Sequence, residues 1–116
     1  MSAMLDDLYQ SVTSAIFAAE HVDDPIWNPR GLSKRDAWRE VARIEEAIVV
    51  AIAPDDVERP LSRELAQRGA VRARLRAGDR AEARALARAY STNEPGSPGH
   101  RDALAQLLQQ AEEEGP

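Results

Sequence analysis

The sequence predicts an all-α fold, a small bundle of about five helices, and three observations carry that prediction. Five segments repeat apolar residues every three or four positions, the spacing of one helix face. Pro, Gly, Asp and Ser cluster between those segments, where helices stop and start. The β-branched run Ile48-Val49-Val50 falls inside a helical period that spans Ala37 to Ile52, so it reads as helix and not as strand.

Leu5, Leu8, Val12, Ala15, Ile16 and Ala19 share one face and predict a first helix over about residues 3–21. Asp23-Asp24-Pro25 ends it, because the residue before proline is pushed out of the α region. The connection from Asp24 to Leu32 holds Pro25, Pro29 and Gly31 around Ile26-Trp27. Trp27 is expected to anchor this loop by packing it on the core; an exposed recognition tryptophan is the alternative.

Ser33 with Asp36 forms an N-terminal capping arrangement for a second helix that runs to about Ala53. Ala37, Val41, Ile44, Ile48 and Ile52 line one face, and Trp38 and Val49 widen it, so this helix should be the most buried. Pro54 and Pro60 bracket a short acidic connection containing Asp55, Asp56 and Glu58.

Residues 61–91 predict a short-turn antiparallel hairpin. In its first helix Leu61, Leu65, Val71 and Leu75 supply large apolar groups, while Ala66, Ala70, Ala73 and Ala77 form a small-residue face that permits close approach. Gly69 inside this helix costs about 1 kcal/mol relative to alanine and marks a kink or a close crossing. Gly78 stops the helix, and Asp79 with Glu82 has the spacing of a capping box for the next. That next helix packs through Ala83, Leu86, Ala87 and Tyr90. Asn93 to Gly99 reads as a loop, Ser97-Pro98 as a helix start, and Leu104, Leu107, Leu108 and Ala111 as the apolar face of the last helix. Residues 1–111 thus make one helical domain. The acidic end, 112–116, places like charge at the negative end of the helix dipole and is expected to fray.

Composition narrows the function classes. The 116 residues carry a net charge of −5, and 43% are hydrophobic, but alanine makes up so much of that fraction that only one modest core can form. With no cysteine, disulfides, thiolate metal sites and cysteine nucleophiles are excluded. No apolar run approaches a membrane span, and the start shows no secretory signal, so a cytoplasmic domain is expected. All bases but Lys34 are arginine, a bias that a GC-rich bacterial genome also produces.

No catalytic residue, metal site or cofactor is expected. His21 and His100 lack the Glu-x-x-His and His-Glu-x-x-His spacings of helix-borne metal sites. His21 beside Glu20, Asp23 and Asp24 could meet a divalent ion, but a solvated helix C-terminus that favours a cationic imidazole explains it better. The carboxylate pairs Asp6-Asp7, Asp36 with Glu40, Glu45-Glu46 and Asp55-Asp56 read as exposed, without the cleft that acid–base chemistry requires.

Charge is distributed unevenly. Residues 1–29 hold five acids and no Lys or Arg, whereas residues 61–90 hold eight arginines against Glu64, Asp79 and Glu82. Arg68, Arg72 and Arg76 recur every four residues, as do Arg80, Arg84 and Arg88, so each set stacks along one helix face. Arg68 and Arg72 fall on the same stripe as Leu61, Leu65 and Leu75, an odd place for charge if that stripe is core. The guanidinium groups then snorkel past the leucines, pair with acids of another helix, or face a partner. The plainest account is a solvated arginine face balanced by the acidic first helix.

Residues 66–95 also resemble a single tetratricopeptide-type helical hairpin, through Ala73, Gly78-Asp79 at the turn, Glu82-Ala83 opening the second helix, and Pro95 beyond it. Gln67 and Arg74 stand where that family carries large aromatics, and no second copy is evident. In that family stacked repeats form grooves that bind extended peptides or partner helices, so the resemblance implies protein binding. The expectation is a protein-interaction module, regulatory or adaptor in role, whose six ladder arginines meet an acidic partner or a second copy of the same protein. The alternative is a nucleic-acid-associated accessory protein contacting phosphates through the same arginines.

Overall fold

The computed structural model describes residues 2–53, 56, 60–93 and 96–113, and places there five helices and no strand. They are α1 (Ser2–Glu20), α2 (Lys34–Ala51), α3 (Pro60–Arg76), α4 (Arg80–Asn93) and α5 (Pro98–Glu113). Among the described residues no helix is long and apolar enough to cross a membrane. Much of the acidic connection after Ile52 and Pro95 of the resembling segment lie outside the described residues.

The boundaries follow the local chemistry. Ser33 caps α2, its Oγ accepting from the Asp36 N–H at 3.1 Å. Ser97 caps α5 in the same way, accepting from the His100 N–H at 3.3 Å, with Pro98 as the first helical residue. α3 ends at a left-handed Gly78 with φ of 82°. There the Asp79 N–H reaches the Arg74 carbonyl at 2.9 Å and the Gly78 N–H reaches Leu75 at 3.0 Å, a Schellman stop. α5 is helical through Glu113, where Glu112 accepts from Arg88 and Glu113 from Gln109, both at 3.0 Å. Residues 114–116 lie outside the described residues.

The helices lie in a slab of 41 × 41 × 17 Å, each packed on its neighbours in sequence, with α3 also against α5. Among the described residues α1 leans on α2 alone, through Leu5, Val12 and Ala19, one stripe of a single face. α2 lies between α1 and α3 and buries Ala37, Trp38, Val41, Ala42, Ile48 and Val49. Its C-terminal carbonyls at Val49 and Ile52 accept from Arg63 of α3. α3 is the shared wall of two cores: Ala66, Ala73 and Ala77 face α2, while Val71 joins Ala83, Ala87, Leu104 and Leu107 of α4 and α5.

One expectation about α3 needs correction, that its leucines supply the core. The buried face is the alanine face, with Ala66, Ala70, Ala73 and Ala77 all under 5% exposed, and it includes Gln67. Leu65 is instead 59% exposed, and Leu75 is only half-buried; the side chain of Leu61 lies outside the described residues. Small side chains let α3 settle close to α2, while Leu65 is turned outward and Leu75 packs at the edge of the Val71 core. On that stripe Arg72 is exposed and Arg68 is half-buried, so neither charge is enclosed in the core.

Candidate protein-interaction surface

The two arginine ladders end in different environments. On α4, Arg80 and Arg84 are half-buried, and the Nε of Arg84 is sealed from solvent with no hydrogen-bond partner. Arg88 is exposed and binds Glu112 of α5 at 3.0 Å. This ladder flanks the α4 core. On α3, Arg68 is half-buried, and Arg72 and Arg76 are exposed. None of these three forms an ion pair among the described residues. The α4 ladder is thus partly absorbed by the fold, and the α3 ladder is offered outward.

α5 converts the α3 ladder into a groove. Ser97 donates to Glu64 through its N–H at 3.0 Å and its hydroxyl at 2.9 Å, and His100 Nε2 donates to Gln67 Oε1 at 2.7 Å. Each pair is 33 residues apart, so α3 and α5 run side by side in the same direction, with the antiparallel α4 joining them. Outward of that seam lies a cavity of about 530 Å³ lined by Arg72, Arg76, Leu75, Leu107, Gln106 and Gln110. Guanidinium and amide N–H groups can donate to carboxylates there, and the leucines offer apolar contact. Arg68, Arg80, Arg84 and Arg88 do not line this cavity.

Arg76 also borders a second cavity, of about 460 Å³, lined by Ala19, Glu20, His21, Lys34, Trp38 and Arg76 itself. Its guanidinium carbon lies 4.8 Å from the centroid of the Trp38 ring. A planar cation stacked on an indole loses little further freedom on binding.

Other arginines, not singled out by the sequence, build the largest ion cluster. Asp79 is buried at the start of α4 and accepts from Arg39 Nε and Nη2, both at 2.8 Å. Arg35 lies at 3.3 Å and Arg74 at 3.5 Å, and Arg74 also reaches Glu46 at 2.9 Å. The hydrogen bonds from Arg39, above all, hold the Asp79 carboxyl down at about 2. Its two oxygens therefore face arginines, where the sequence suggests an α4 capping box. The available signals are Arg35 and Arg39 one turn apart and an acid directly after a helix-stopping glycine, but nothing local joins α2 to Asp79.

Trp27 ties its loop to α1, but across the surface. It is 46% exposed and stacks on Phe17 with ring centroids 5.0 Å apart, with His21 at 6.0 Å. The buried residue of the loop is Asn28. Its amide donates to the carbonyls of Val22 at 2.8 Å and Leu32 at 2.9 Å, and its Oδ1 accepts from Leu32 N–H at 3.1 Å. His21 Nδ1 donates to the Phe17 carbonyl at 2.9 Å, which closes the end of α1.

No family model matches the sequence, and neither a curated protein nor a solved structure is detectably similar to it.

Proposed function

We propose that the protein is a small helical interaction module that holds an acidic, partly apolar segment of a partner protein in the groove between α3 and α5. One observation carries this reading: Arg72 and Arg76 line an amphipathic groove without a carboxylate, while Arg35, Arg39, Arg74 and Arg88 are all committed to the protein's own acids. In a molecule with net charge −5, two open guanidinium groups on one groove make a local positive site. The tetratricopeptide resemblance supports a protein-binding reading, since Gly78 and Asp79 lie in the hairpin turn and Ala83 opens α4 and packs with Leu104 and Leu107 of α5. In that family stacked repeats form grooves that bind extended peptides or partner helices.

Fluorescence anisotropy tests the proposal, with a labelled peptide of alternating Glu and Leu residues beside labelled duplex DNA, single-stranded DNA and RNA. The peptide should bind, the nucleic acids should not, and Arg72→Glu with Arg76→Glu should abolish peptide binding without changing helicity. The leucine-lined groove favours the peptide, because a phosphate backbone gains nothing from Leu75 and Leu107. Nucleic-acid binding that falls steeply with salt and disappears in the double variant would replace this reading with a phosphate-binding one.

A further inference from the structure

We propose that the cavity beneath Arg76, between the end of α1 and the start of α2, is a second carboxylate subsite continuous with the α3–α5 groove. This rests on the groove reading above and extends it: the ligand crosses the C-terminal end of α3 and places one carboxylate on each side of Arg76.

Arg76 is the shared residue of the two cavities, so they meet at its side chain. The guanidinium lies over the Trp38 ring, a cation–π contact that holds it where the two cavities meet. The second cavity adds Lys34, the one lysine of the protein, which no acid pairs among the described residues. Its position is electrostatically unfavourable for the helix, because Lys34 is the first residue of α2 and a cation at a helix N-terminus opposes the dipole. A lysine there weakens α2 slightly, yet lines the same space as Arg76. Ala19 and Trp38 supply apolar wall for a short aliphatic stem, and His21 closes the rim. Glu20 also lines the cavity and opposes an incoming carboxylate. The subsite therefore carries two cations, Arg76 and Lys34, against one anion, Glu20, and each member has a separate predictable effect.

The ligand's carboxylate can come from a glutamate residue or from the terminal carboxylate of a polypeptide. Labelled Glu/Leu peptides ending in a free carboxylate or in an amide separate these sources. Lys34→Ala should weaken binding about two- to fivefold, the range of a solvated ion pair, and Glu20→Gln should tighten it by a similar factor. An effect on both peptides assigns a glutamate carboxylate, and an effect on the free-acid peptide alone assigns a terminal one. Because Lys34 is exposed and unfavourable for the helix, Lys34→Ala should keep or slightly raise the thermal midpoint, so loss of fold does not confound the result. If Arg72→Glu abolishes binding while Lys34→Ala and Glu20→Gln change nothing, the subsite is refuted and the groove stands. If no peptide binds the wild type, both are refuted.

Discussion

Glu45 of α2 occupies the notch that Gly69 leaves in α3: a Cβ on Gly69 would stand 1.8 Å from Glu45 Oε2. This explains a glycine in mid-helix, since the missing side chain makes room for a carboxylate in the α2–α3 seam. Burial, opposed by the charge of nearby Arg72, pushes the Glu45 carboxyl up to about 7. The folded value exceeds the unfolded one, so the protein carries no penalty from Glu45 below about pH 4.5 and loses stability as pH climbs towards 7. Glu45→Gln should therefore stabilise the fold at pH 8 by about 1–2 kcal/mol, discounted for partial exposure, and do nothing at pH 4. Urea denaturation at the two pH values reads this directly. Gly69→Ala should expel the carboxylate to water and return Glu45 to the ordinary carboxylate range, which a carboxyl NMR titration would show.

Asp79 has the opposite sign. Its carboxyl is held at about 2 by the Arg39 hydrogen bonds, below its unfolded value, so its contribution is present above about pH 4 and disappears as pH falls through 2. Asp79→Asn leaves Arg35, Arg39 and Arg74 crowded around a neutral side chain at the junction of α2, α3 and α4. Breaking a buried pair from one side costs about 3 kcal/mol. The variant should show that loss in chemical denaturation at pH 7, and the gap from wild type should narrow towards pH 2.

The local signals of this fold were legible in the sequence, and the long-range ones were not. Ser33, Gly78 and Ser97 set helix ends through bonds to residues three to five away, so each is visible in a short window. The face of α2 was equally clear, because large apolar residues repeat along it. α3 was harder. Its leucines suggested one core face and its alanines another, and the alanines prevailed because close approach to α2 requires small side chains. The Asp79 cluster joins residues 40 and 44 positions apart, beyond any periodicity. For the candidate surface, the four-residue arginine spacing was legible, but the difference between the ladders depends on α5. That helix brings Glu112 to Arg88 and builds a groove beside Arg72 and Arg76.

The loop after α1 separates two roles that its sequence places side by side. Asn28 satisfies three backbone groups from a buried position, while Trp27 stacks on Phe17 at the surface. Asn28→Ala should cost about 1–2 kcal/mol, because it leaves two half-buried carbonyls and an N–H without their side-chain partner. Trp27→Ala should cost less than that, and the remaining Trp38, 5% exposed, should give a blue-shifted emission. Comparing the thermal midpoints of the two variants decides which residue holds the loop. A larger loss for Trp27→Ala would return the anchoring role to the tryptophan.

The α2–α3 seam makes a prediction that runs against residue size. Ala70 is fully buried, and no free volume is expected around a residue suited to close approach. Ala70→Leu should force α3 away from its neighbours and cost about 1–3 kcal/mol, with Ala73→Leu behaving alike. Leu65→Ala, on the exposed stripe, should change stability by less than about 0.5 kcal/mol. A core built on the leucines would give the reverse order, losing several kcal/mol with Leu65→Ala and little with Ala70→Leu. Urea denaturation of the three variants therefore identifies the packed face of α3, and with it the face on which Arg72 and Arg76 stand without an ion pair among the described residues.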